Sequence, residues 1–105
     1  MKATDEEILS QIKQAVLAVD EGAELMLFGS RARGDYKVDS DWDVLVLTSK
    51  NVDIKFKRSL RKPLFRIEME NEIELNPTII NKNNWNNKFE GYPLYIEVKK
   101  DGIAL

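Results

Sequence analysis

LFGSRARGDYKVDSDWDVLVL, residues 27–47, joins two apolar runs through a polar turn region. The first run belongs to a short strand over residues 24–28, ELMLF, apolar enough to be central in a sheet. The second opens a strand over 42–48, WDVLVLT, whose one charge is Asp43. A two-residue side-chain period sets Asp43 on one face with Leu45 and Leu47. A Gly-Ser pair follows the first strand, ten residues intervene, and Asp-x-Asp leads into the second. The intervening turn has room for a short helix beginning near Ser30.

Each part has a physical use. Gly29 has no side chain, so backbone there can approach a ligand closely. Ser30 and the amides after it can point at phosphate oxygens. Asp41 and Asp43, two apart, project from the same face. Two carboxylates side by side repel each other, and a divalent cation relieves that repulsion. A triphosphate can complete the octahedral oxygen shell of such a cation. Gly-Ser or Asp-x-Asp alone is common; the joint spacing between two strands is specific to a nucleotide site.

Outward from this segment, residues 5–20 read as an amphipathic helix. Thr4 and Glu7 form a capping-box signal, Ile8, Ile12, Ala15 and Val19 share a face, and Gly22 is the expected stop. Residues 53–71 read as a helix with Phe56, Leu60, Leu64 and Ile67 as its buried stripe, and Pro63 should kink or split it. A third strand is expected over 73–80, where Pro77 argues for an edge or a bulge. Asn83, Asn84 and Trp85 open a short helical segment, and a last helix over 93–101 ends at Gly102. The order α-β-α-β-α-β-α predicts a small α/β sheet with helices packed on it, residues 1–105 forming one domain. Trp42 and Trp85 read as packing residues, and Tyr36 is a candidate to lean on a nucleobase.

Composition narrows the chemistry. The 105 residues include no cysteine and no histidine, which excludes thiolate zinc sites, imidazole ligands and Ser-His-Asp triads. Any metal must therefore be held by oxygen, as hard cations such as Mg²⁺ prefer. Net charge is −2, without the basic excess of a general nucleic-acid binder. The basic residues of the long helix, Lys55, Lys57, Arg58, Arg61, Lys62 and Arg66, read as a solvated face. The acidic start MKATDEEILS lacks the apolar run of a signal peptide, and no stretch is long enough to cross a bilayer. A cytoplasmic protein is expected.

GSRARG followed by SDWDVLVL resembles the minimal nucleotidyltransferase domain of the DNA polymerase beta-like superfamily. That family's pattern is GS, ten residues, DxD, and Gly29, Ser30, Asp41 and Asp43 match it without a gap over about a fifth of the chain. The resemblance implies an α+β fold with a mixed sheet and flanking helices, ATP or another NTP as substrate, and two Mg²⁺ ions. It implies in-line attack on the α-phosphate with pyrophosphate leaving, Asp41 and Asp43 holding the metals, and Gly29 and Ser30 holding the outer phosphates. Arg31 and Arg33 are candidates to neutralise phosphate charge. The family also uses a third carboxylate on a later strand, for which Glu74 is the candidate; another register would bring Asn76 or Thr78 there. Stand-alone domains of the family often accompany a HEPN-domain toxin as its antitoxin, some by adding AMP to a toxin tyrosine. The alternatives are a catalytically inactive nucleotide- or partner-binding module and transfer to a small molecule, whose known enzymes usually carry a further helical domain.

Overall fold

The computed structural model describes residues 3–105. Helix α1 spans Asp5–Val19, and the Thr4 hydroxyl caps it by accepting from the Glu7 amide at 3.2 Å. Its Ile8, Ile12 and Val16 are buried, each contributing roughly 1.5–3 kcal/mol of apolar transfer. The helix stops before Gly22: Asp20 turns extended, and its buried carboxylate accepts from the Gly22 amide and the Thr48 hydroxyl. A buried acid with two donors is a firmer stop than a glycine downstream.

Strand β1 is Glu24–Phe28, α2 is the single turn Ser30–Arg33, and β2 is Trp42–Thr48. Helix α3, Ile54–Asn71, begins at Asp53, whose carboxylate accepts from the Phe56 amide at 2.8 Å. It is not split at Pro63. Proline removes one amide donor there, and the carbonyl left over belongs to exposed Ser59, where water can satisfy it. Glu72, in the left-handed region at φ 54°, ends α3, so β3 starts later than expected, at Leu75–Asn81. Helices α4, Lys82–Asn87, and α5, Pro93–Asp101, follow. Gly102 caps α5 and releases the chain into a fourth strand, β4, Ile103–Ala104, which sequence reading missed. Two residues carry no readable strand period; their pairing with β1 creates the strand.

The sheet order is β3-β2-β1-β4. β2 and β3 are parallel, bridged by α3, and the other pairs are antiparallel. The mixed sheet with flanking helices is the expected class, and Pro77 indeed sits on an edge strand. One face carries Leu25, Leu27, Trp42, Val44 and Val46 against α1 and α3. The other carries Phe28, Leu45 and Leu47 against Trp85 and Val98 of α4 and α5. Trp42 and Trp85 are buried in these two layers. Asp43, by alternation, points to the α4–α5 side. No helix among the described residues is long and apolar enough to cross a membrane.

Candidate active site

The site begins where β1 stops. Gly29 leaves the strand at φ 74° and ψ −159°, a region essentially reserved for glycine, and caps α2. A Cβ at this position would overlap the Asp43 carboxylate. The Gly29 carbonyl accepts from the amides of Ala32 and Arg33, both at 3.1 Å, and Gly34 closes the turn in the left-handed region at φ 88°. Those bonds leave the Ser30 and Arg31 amides unused by the helix, as at any helix start.

The carboxylates come from the start of β2 and the approach to β3. The parallel register sets Asp43 opposite Asn76, and the Trp42 amide donates to the Glu74 carbonyl at 2.9 Å, extending the ladder upstream. Asn76 Nδ2 donates to Asp41 Oδ2 at 2.9 Å and to Asp43 Oδ1 at 3.4 Å, the second bond being long. Glu74 lies against Asp41. The hydrogen bond with that carboxyl, then its charge, raise the pKa of Glu74 above the usual carboxylate range, with smaller contributions from desolvation and Glu68. Glu74, Asp41, Asn76 and Asp43 thus form a row in which a neutral amide is the only donor between negative groups. Among the described residues, no three carboxylates gather closely enough to hold an ion by themselves. All donors in the row are oxygens apart from that amide nitrogen, and acidic repulsion is partly unrelieved. Both features fit a hard divalent cation.

The two arginines have partners within the chain. Arg31 is withdrawn from solvent, its side chain 6% exposed. Its Nε donates to the Ser40 carbonyl at 3.0 Å and Nη2 to that of Val38 at 3.2 Å, while Nη1 pairs with Asp5 at 3.6 Å. The guanidinium lies 4.0 Å from the Trp42 ring centroid and 4.7 Å from that of Tyr36. A planar cation held by two carbonyls, a carboxylate and two rings is a clasp for the 35–41 loop. Tyr36 is likewise engaged, donating its hydroxyl to Asp5 at 3.2 Å. Nothing in the residue spacing announces this clasp; it needs α1 folded beside the loop. Arg33 is exposed and paired with Asp35 at 3.3 Å and with Glu97 of α5 at 3.1 Å.

The nucleotidyltransferase domain family model matches residues 7–101. A putative protein adenylyltransferase of Methanocaldococcus jannaschii is 35% identical over 78 residues, covering 72% of this chain and 79% of that protein. Among solved structures, a toxin-antitoxin crystallised with AMP-PNP superposes with a TM-score of 0.66 at 17% identity, over 90% of this chain and 69% of that one. A putative minimal nucleotidyltransferase superposes with a TM-score of 0.59 at 20% identity, over 95% of this chain and 94% of that one. These two likenesses concern the fold; the match across residues 7–101 and the archaeal relative concern the family. The chain therefore belongs to the nucleotidyltransferase domain family, a family of transferase enzymes.

Proposed function

We propose that this chain transfers AMP from ATP to a hydroxyl of a partner protein, with two Mg²⁺ ions held by Asp41, Asp43 and Glu74. The observation that carries the reading is the packing of Gly29 directly on Asp43, which sets the Gly-Ser turn against the carboxylate row. Gly29 and Ser30 offer backbone amides to the outer phosphates. Asp41 and Asp43 are aimed by Asn76, so their oxygens are already gathered before substrate arrives. Bound metal would supply neutralisation of the triphosphate and a lowered pKa for the attacking hydroxyl. The hydroxyl oxygen forms a bond to the α-phosphorus, the bond to the pyrophosphate oxygen breaks in line so that pyrophosphate leaves, and the hydroxyl proton passes to water. A protein acceptor is supported by the name of the archaeal relative. A helical HEPN-domain toxin, as the family resemblance suggests, is the partner we infer, with this chain as its cytoplasmic antitoxin.

A second reading, an inactive binding module, draws on the neutral Asn76 amide between the two aspartates. One experiment separates the two. The chain is incubated with labelled ATP, Mg²⁺ and a HEPN-domain protein of the same source, and the partner's mass is followed. We expect the partner to gain AMP, and Asp41→Asn with Asp43→Asn to abolish the gain. Neutralisation of the partner by that double variant, with no mass change by the wild type, would overturn transfer in favour of binding.

A further inference from the structure

Helix α3 presents a second apolar surface besides its core stripe. Ile54 is 69% exposed and Phe65 57% exposed. Between α3 and the edge strand β3 lies a groove of about 830 Å³, its accessible apolar lining made by Ile54, Phe65 and Ile79 over buried Leu60 and Leu64, its rim by Lys57, Arg58 and Arg61, and its one acid, Glu68, engaged by the Leu75 amide. A smaller hollow beside it joins Arg58 and Arg61 to Lys62 and Phe65. None of the four cations makes an ion pair among the described residues, in a chain whose net charge is −2. Lys57 and Arg61 are four residues apart on the helix, as are Arg58 and Lys62. Like charges at that spacing repel, so α3 carries a repulsion that an acidic neighbour would relieve.

The edge of β3 decides the shape of that neighbour. The Trp42 amide reaches the Glu74 carbonyl, so even-numbered backbone of β3 faces β2 and odd-numbered backbone faces out. Of those outward positions, the Leu75 amide is already taken by Glu68 Oε2 at 3.0 Å, and Pro77 has no amide hydrogen. Two consecutive outward donors are therefore closed to an added strand. A helix needs no edge donors and can lay apolar side chains on an aliphatic floor. Nucleic acid fits less well, because Phe65 is the one aromatic ring lining the groove and stacking platforms are otherwise missing.

We infer that the α3–β3 groove docks an acidic amphipathic helix of a partner protein, apolar residues on Ile54, Phe65 and Ile79 and carboxylates on Lys57, Arg58, Arg61 and Lys62. The groove belongs to the α3 side of the sheet, whereas Asp43 faces the α4–α5 side, so an occupant leaves the carboxylate row open. This inference does not depend on the transfer reaction.

The probe is an amphipathic peptide of about five helical turns, leucines on one stripe and glutamates flanking it. A control peptide carries lysine for every glutamate, and a single-stranded RNA oligomer of similar length is the nucleic-acid arm. Binding to the full chain is read by fluorescence anisotropy at low and raised salt. The acidic peptide should bind, weaken with salt, and lose about tenfold or more with Arg58→Glu plus Arg61→Glu or with Phe65→Asp. Circular dichroism checks that the variants fold. On the wild-type chain, amide shifts should change along α3 and β3 and stay fixed at α5. Equal binding of the two peptides, shifts elsewhere, or tighter binding of the RNA would overturn the proposal. So would self-association of the chain that Arg58→Glu disperses, since the occupant would then be a second copy.

Discussion

The Asp43 carboxylate fills the space in which a side chain at Gly29 would sit. The end of β1 and the start of β2 are thereby fitted to each other through one missing Cβ. Gly29→Ala should cost about 1–3 kcal/mol of stability, since alanine must adopt a glycine-only conformation and displace the carboxylate. Urea denaturation measures the first effect. The second should appear as weaker binding of Mg²⁺-ATP by calorimetry, whereas Gly22→Ala, whose Cβ would meet only ordinary contact, should leave that binding nearly unchanged.

Asp43→Asn should lower nucleotide transfer by about 10²-fold or more, the scale on which loss of one charge-stabilising group is felt in a transition state. The apo fold should not weaken, because the substitution removes like-charge repulsion from the row of Glu74, Asp41 and Asp43. Thermal melting alongside a labelled-ATP assay gives both numbers. A variant that melts higher and transfers as well as the wild type would remove Asp43 from the metal set.

The Glu74 carboxyl has a raised pKa because of the hydrogen bond and charge of Asp41. In the pH range between the ordinary glutamate value and that raised value, the folded chain binds more protons than the unfolded one. Stability contributed by this group is therefore present below the ordinary value and lost as pH rises through the raised one. Glu74→Gln should remove this part of the decline, and saturating Mg²⁺ should oppose it in the wild type. Denaturation midpoints across the acidic range, with and without Mg²⁺, test the direction. Glu74 is exposed, so the effect should be small.

Arg31→Lys should destabilise the chain by roughly 1–3 kcal/mol, and lysine should restore little of what alanine loses. An ammonium cannot donate in a fixed plane to the carbonyls of Ser40 and Val38 while stacked between Tyr36 and Trp42. Hydrogen exchange should speed up in residues 35–41 before it does in β1. Protection unchanged in that loop would mean that the clasp is not what orders it.

The parts of the fold governed by local pattern were legible in the sequence. Ile8 and Ile12 of α1 and the stripe of α3 follow helical periodicity and lie in the core, whereas Ala15 and Val19, read on the same face of α1, are half-buried and Val16 is buried beside them. The strands around GS and DxD were legible because their apolar runs are long enough to mark themselves. What depended on distant partners was not. Asp20 stops α1 because Thr48, far along the chain, donates to it. Strand β4 exists because β1 has a free side. The contacts of Arg31 with Asp5, Tyr36 and Trp42 depend on α1 lying beside the loop, which residue spacing does not disclose. Asn76 was read only as what an alternative register would bring; the parallel register with β2 sets it against both aspartates while Glu74 stays beside Asp41.

The clasp around Arg31 gives helix α1 a duty apart from covering the sheet. Asp5 lies in its first turn, an end at which a helix can open, and one guanidinium carries that turn's position to Ser40, next in the chain to Asp41. Opening of those few residues would slacken the loop that presents the aspartates while both apolar layers of the sheet remained packed. The proposed carboxylate row is thus tied to the first turn of α1, and activity should fade with temperature ahead of global melting.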